Sequence, residues 1–259
     1  MFRNFSMELL KTLVKYATGV FFVFMVAIHV PPAYEKDKMR GVVGSRVVRV
    51  TNSTENSGGT GFFVKATSGK TYIMTNYHVC QLKDKNNFVY ISAPDANRTI
   101  PKKVIEMYDT HDLCLVETIE GYSGLDVART LKVGSDIAVV GHPKLYPLTV
   151  SKGQYIGSRT ISLMYPTEKS NKTRTSPIVI FDDFDKDSDD SPSPQSEDFV
   201  EKTYTTSQLV AYTRGGNSGS PVVNTSGEVV AVLFAGNPED NLESYAVPLY
   251  YIKKMLENY

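Results

Sequence analysis

TRGGNSGSPVV, residues 213–223, sets Gly215, Gly216, Gly219 and Ser220 around Ser218 and then runs into a proline and two valines. Glycine and serine are the commonest turn residues, so taken alone the stretch reads as an ordinary glycine-rich loop. Ser218 reads as a nucleophile only with partners elsewhere. A serine hydroxyl needs an adjacent base, usually histidine, and the histidine needs a carboxylate to fix its tautomer.

The composition describes a folded protein with a real core and no charge bias. Of 259 residues 41% are hydrophobic, and 28 Lys+Arg balance 28 Asp+Glu. A net charge near zero gives no reason to expect a nucleic-acid partner, so another protein, a peptide or a small molecule is the expected one. Two cysteines, Cys80 and Cys114, exclude a disulfide-framework fold. His29, His78, His111 and His142 are scattered without zinc-ligand spacing, so neither metal nor cofactor is expected.

The N-terminus differs from the rest. YATGVFFVFMVAIHV, residues 16–30, carries no formal charge apart from His29 when protonated, and Arg3, Lys11 and Lys15 precede it. We read 1–15 as a cytoplasmic N-terminal segment, 16–33 as a signal-anchor or signal peptide, and 34–40 as a linker. A small-x-small cleavage site is hard to find, which favours a membrane anchor with the remainder outside the cytoplasm. Cleavage would give a secreted form instead.

From 41 onward, short runs rich in Val, Ile, Tyr, Phe and Thr are broken every eight to twelve residues by Gly, Asn, Asp or Pro. SRVVRVT, GTGFFVKA, KTYIMTN, NFVYISA, KKVIEMY and DLCLVE are predicted strands of the first half. DIAVVG, SKGQYIG, TISLMY, SPIVIF, SQLVAY, SPVVN and EVVAVLFA are those of the second. The expected fold is mostly β: two six-stranded antiparallel barrels over about 41–134 and 135–248, a helix over 249–258 and a hydrophobic N-terminal helix. Residues 182–202, dense in Asp, Ser and Pro, read as a disordered acidic insert. They lack the alternation and glycine of an EF-hand calcium loop.

His78, in YIMTNYHVC, stands where a predicted strand ends, and Asp112, in HDLCLVE, stands where another begins. The order His78, Asp112, Ser218 is the chain order of chymotrypsin-like enzymes. With GTGFFV before TNYHV, VVGHP opening the second half, GGNSGSPVVNTSGEVVAV and ESYAVPLYYIKKML, residues 41–258 resemble the trypsin-like serine proteases. Within them the HtrA/DegP and glutamyl-endopeptidase (V8-like) branches are the most similar. The resemblance implies Ser218 as nucleophile, His78 as general base and then acid, and Asp112 as the residue that orients His78. It implies an oxyanion hole from the amides of Gly216 and Ser218, and an endopeptidase acting on extended or unfolded polypeptide.

Tyr212, Thr213, Arg214, Leu233, Phe234 and Ala235 are the substrate-binding residues it implies, with Tyr212 and Thr213 at the pocket floor. No carboxylate is expected there to receive Lys or Arg. Leu233 replaces the histidine by which glutamyl endopeptidases receive glutamate. Small or medium apolar residues are therefore the expected preference, with Arg214 the one feature favouring an acidic one. HtrA relatives suggest a trimer by analogy alone, and no peptide-sensing PDZ module is expected. Cys80 and Cys114 each lie two residues after a triad position. We read them as two buried free thiols, with a disulfide as the alternative in an exported domain. A catalytically inactive protease-like fold, working as a binding or chaperone-like module, is the competing function.

Overall fold

The β-branched and aromatic runs form strands that close into two barrels. The computed structural model describes residues 37, 39–96, 98–166, 178–180, 199–237, 240 and 242–259, with 163–166, 178–180 and 199 described through their backbone alone. The predicted N-terminal segments 1–15 and 16–33 lie outside these residues. Among the described residues no helix is long and apolar enough to cross a membrane. Met39–Tyr259 forms one compact unit.

In the first barrel β1 (Val47–Thr51), β2 (Gly58–Lys65), β3 (Thr71–Thr75), β4 (Phe88–Ser92), β5 (Ile100–Tyr108) and β6 (Leu113–Val116) close in the order β1-β2-β3-β6-β5-β4. A single helical turn, α1 (Tyr77–Cys80), follows β3. The second half contains β7 (Asp136–Gly141), β8 (Thr149–Pro166), β9 (Ile178–Ile180), β10 (Phe199–Ala211), β11 (Pro221–Asn224), β12 (Val229–Gly236) and β13 (Glu243–Pro248). Their sheet runs β10-β13-β12-β11-β7-β8-β9, and β10 also pairs with β8. That pairing closes six strands into the second barrel and leaves β9 as an extra strand on β8. Helix α2 (Leu249–Leu256) ends the chain, two residues short of its predicted end, and buries Ile252, Met255 and Leu256.

Strand alternation sorts the core into three parts. Val48, Val50, Phe63, Ile73 and Val116 fill the first barrel. Ile137, Val139, Leu209, Val222 and Leu233 fill the second. Their strand neighbours, among them Val47, Phe62, Val64 and Phe234, form the layer that also takes in α2. Because β1 and β2 are buried on both faces, GTGFFVKA reads as an almost unbroken apolar run instead of alternating.

Four details depart from the sequence reading. SKGQYIG and TISLMY are one strand, because a bulge at Ile156, opposite the Gln208–Leu209 step, absorbs the glycine that reads as a break. The strand β13 is not in the predicted set, since its three consecutive apolar residues, Tyr245 to Val247, make too short a run to read. The acidic segment was expected to be irregular through 202, but Phe199 to Lys202 pair with β8 as the first residues of β10. The remainder of it, 182–198, lies outside the described residues. Finally, Cys80 and Cys114 are joined in a disulfide, so the expectation of two free thiols is corrected. Helix α1 and strand β6 bring their Cα atoms to 6.4 Å, within bridging range.

Candidate active site

The three triad positions arrive by different local devices. Asn76 starts α1 in an extended conformation, and the helical turn lifts His78 off the end of β3. Asp112 follows the 3-10 turn of Asp109–His111 and adopts a left-handed conformation at φ 48° and ψ 45°. Aspartate tolerates that region better than most residues, and here it turns the carboxylate toward α1 while Leu113 starts β6. The third position, Ser218, lies in the loop between β10 and β11.

His78 and Asp112 meet closely. The Asp112 carboxylate is 1% exposed and its partner ring 9% exposed. It accepts the His78 backbone N–H at 3.0 Å and lies 2.8 Å from Nδ1 through Oδ2. A carboxylate has no proton to give, so Nδ1 carries the hydrogen of this contact, and Nε2 makes no hydrogen bond among the described residues. The Asn76 side-chain amide holds the Asp112 carbonyl at 2.9 Å. Just behind, the Cys80–Cys114 bridge ties the His78 helix to the Asp112 strand.

The serine loop is held through its backbone. Thr60 N–H donates to the Ser218 carbonyl at 2.7 Å, and Thr60 Oγ1 donates to the Gly216 carbonyl at 2.8 Å. Thr75 Oγ1 braces Thr60 from behind at 2.7 Å. A Cβ on Gly59 would lie 2.6 Å from the Ser218 carbonyl and 2.7 Å from Val79, so the serine and the helix of His78 converge on one glycine. On the second barrel, Lys144 N–H donates to the Gly215 carbonyl at 2.6 Å. Gly216 has φ +90°, and a Cβ there would meet Lys144 N at 2.5 Å and the His142 carbonyl at 2.7 Å. Only glycine fits that approach.

Within the loop the amides of Asn217, Gly219 and Ser220 donate to Arg214, Leu233 and Asn217 carbonyls. Those of Gly216 and Ser218 donate to no acceptor among the described residues. Two unengaged N–H groups at one turn are what an oxyanion requires. Ser218 Oγ points elsewhere: it donates to the Phe234 carbonyl at 3.4 Å and makes no hydrogen bond with His78.

The substrate-binding expectation divides. Thr213 is buried and shares a 2.7 Å hydrogen bond with Ser244. Tyr212 is 41% exposed, and Arg214 lies over its ring, 5.1 Å from the centroid. Tyr212 and Thr213 follow the end of β10, and of the two residues expected at the pocket floor Thr213 is buried and Tyr212 is the more exposed. Leu233 and Phe234 are buried core residues, and Ala235 is partly exposed. They reach the site by their backbone: the Leu233 carbonyl accepts the Gly219 amide.

Sequence reasoning missed Thr60, Thr75, Asn76 and the turn after β7. The signal for the first was present, since Thr60 sits between two glycines where a second segment can approach. His142 follows β7 and is held in neutral form, with burial and the nearby Arg49 charge lowering its pKa against a contact with the Tyr146 carbonyl.

Two sealed antiparallel barrels with a histidine–carboxylate pair on one and a glycine-flanked serine loop from the other define the two-barrel class of serine peptidase folds. Residues 59–232 match the family described as "Trypsin-like peptidase domain", and the chain belongs to it. It is 27% identical over 213 residues to a "Serine protease HtrA-like" of Staphylococcus aureus, covering 80% of this chain and 24% of that protein. A protein of the same description from Staphylococcus haemolyticus is 25% identical, covering 86% and 31%. The chain thus spans about a quarter to a third of the length of these relatives. Among solved structures, the active form of the Rv3671c protease of M. tuberculosis superposes with a TM-score of 0.61 at 20% identity, covering 87% of this chain and 86% of that one. The serine endoprotease of Yersinia pestis gives 0.60 at 18% identity, covering 89% and 68%.

Proposed function

We propose that the domain is a serine endopeptidase working through Ser218, His78 and Asp112. The observation that carries this reading is the pairing of a base and an oxyanion site: Asp112 holds His78 through Nδ1, and the Gly216 and Ser218 amides donate to no acceptor among the described residues. In the reaction the Ser218 side chain turns from the Phe234 carbonyl to Nε2 and gives up its proton as Oγ attacks the substrate carbonyl. The two amides receive the developing oxyanion, and Asp112 stabilises the imidazolium. His78 then protonates the departing amine, and water activated by the same nitrogen releases the acyl group.

Extended polypeptide is the proposed substrate, its acyl half lying along Leu233, Phe234 and Ala235 of β12 as an added strand. Small or medium apolar side chains are the proposed preference, since the Thr213 hydroxyl at the expected floor is engaged with Ser244 and carries no charge. We place residues 16–33 as the anchor or export signal, with the protease domain outside the cytoplasm. The buried disulfide supports that reading, because such bridges persist in oxidising compartments. Thiol trapping in intact cells should find Cys80 and Cys114 oxidised, and a reduced pair would contradict it.

The direction of Ser218 Oγ favours the second reading, a non-catalytic binding module. Hydrolysis of an unfolded protein such as reduced casein separates the two. Activity in the purified wild type that is lost in Ser218→Ala supports the enzyme, and a folded wild type that cleaves nothing supports the module.

A further inference from the structure

The turn that receives Gly216 has another face. His142 and Leu145, whose backbones abut Gly216, also line a groove of about 580 Å³ together with Val47 and Arg49 of β1, Ala93 after β4, and Leu148. Strand register fixes where it lies. Arg49 pairs with Thr60 in the β1–β2 ladder, and Thr60 in turn binds the Ser218 carbonyl. Phe234 of β12 touches Ser218 from the second barrel. The nucleophile is thus flanked by β12 on one side and by β2, β1 and the groove on the other. A substrate whose acyl half follows β12 sends its leaving-group half toward the groove.

The lining is mostly apolar and holds one permanent charge. Arg49 donates through Nη1 to the neutral Leu145 carbonyl at 3.3 Å, and no carboxylate lines the groove among the described residues. Burial and the Arg49 charge keep His142 from adding a second positive charge near neutrality. Apolar walls around a guanidinium without a counter-ion suit an apolar segment carrying one carboxylate.

Resting on the endopeptidase reading above, we propose that this groove binds the leaving-group half of the substrate and selects apolar residues with an acidic side chain at Arg49. The test uses the full chain and substrates sharing one acyl half. One ends in a nitroanilide, one continues into a Gly-Ser extension, and one continues into a Leu-rich extension containing Glu. The acidic apolar extension should raise kcat/KM about tenfold over Gly-Ser. Arg49→Gln, which removes the charge and keeps N–H donors, should erase that gain and leave nitroanilide hydrolysis unchanged. Leu148→Ala should reduce the gain by the apolar route alone. Equal rates for the two extensions in wild type, or a fall in nitroanilide hydrolysis matching that on the extended peptides in both variants, overturns the proposal. If folded wild type hydrolyses none of the three, the endopeptidase reading itself fails, and this inference falls with it.

Discussion

The two halves of the site are prepared to different degrees. On the first barrel His78 and Asp112 are joined by two hydrogen bonds, fixed by Asn76, and backed by a covalent bridge. On the second barrel the serine loop rests on backbone contacts, its donors are open, and its hydroxyl points at Phe234. On the proposed reading the base is set before substrate arrives, and the nucleophile becomes competent by one side-chain rotation. Activity should therefore depend steeply on the bridged half, while the serine half decides when catalysis begins.

The largest break in that comparison is Asp112→Asn. It offers an amide where Nδ1–H needs an acceptor, so Nδ1 becomes the acceptor and Nε2 carries the proton. Turnover should fall by about 10⁴-fold with the fold intact. Steady-state kinetics beside a thermal melt checks this, and a loss under tenfold would remove Asp112 from the mechanism.

Next in size is Gly216→Ala. A Cβ there meets Lys144 N at 2.5 Å and demands a left-handed backbone, so one oxyanion donor is displaced. A fall of about 10²–10³ in kcat is expected, with KM nearly unchanged. A change in KM alone would place Gly216 in substrate binding instead.

The paired change Cys80→Ser and Cys114→Ser sharpens the contrast from the bridged side. Releasing a bridge across 34 residues should cost about 3–4 kcal/mol of stability. Denaturant unfolding of the variant beside oxidised wild type measures it. Turnover, assayed well below the melting temperature, should fall less than in Asp112→Asn, because the hydrogen bonds between His78 and Asp112 remain.

The smallest effect is on acid stability. Burial, together with Lys254, lowers the pKa of His111, and burial with Arg49 lowers that of His142. A group with a depressed folded pKa prefers its neutral form in the native state. Its contribution is present above the unfolded value of 6.5 and is lost as pH falls below it toward the folded pKa. Melting temperature should decline from about pH 6.5 downward, and less so in His142→Asn. An identical profile in that variant would assign the decline elsewhere.

How much of this was legible in the sequence follows the same division. The first barrel's strands could be read because β-branched and aromatic runs between turn residues mark them locally, and the meeting of His78 with Asp112 because both stand at strand ends in the chain order of the family they resemble. Thr60, Thr75 and the His142–Leu145 contact with Gly216 could not, because they arise only when segments far apart in sequence pack together. The disulfide was misread since burial of a cysteine looks alike for a thiol and a bridge until geometry brings the pair within reach. The exposure of Tyr212 beside a buried Thr213 was not legible, because it depends on Thr213 finding Ser244, thirty-one residues away. The segment around 16–33 reads plainly as apolar, yet its role is decided by the cell and not by the domain's packing.

The central claim is that the Ser218 hydroxyl turns to His78 as its base. Reaction with a fluorophosphonate, followed by mass spectrometry of the digested protein, tests it most directly. One adduct on Ser218, formed by folded wild type and abolished in His78→Ala, is the predicted result. A folded wild type that forms no adduct, or an adduct that persists at the same rate without His78, contradicts the account.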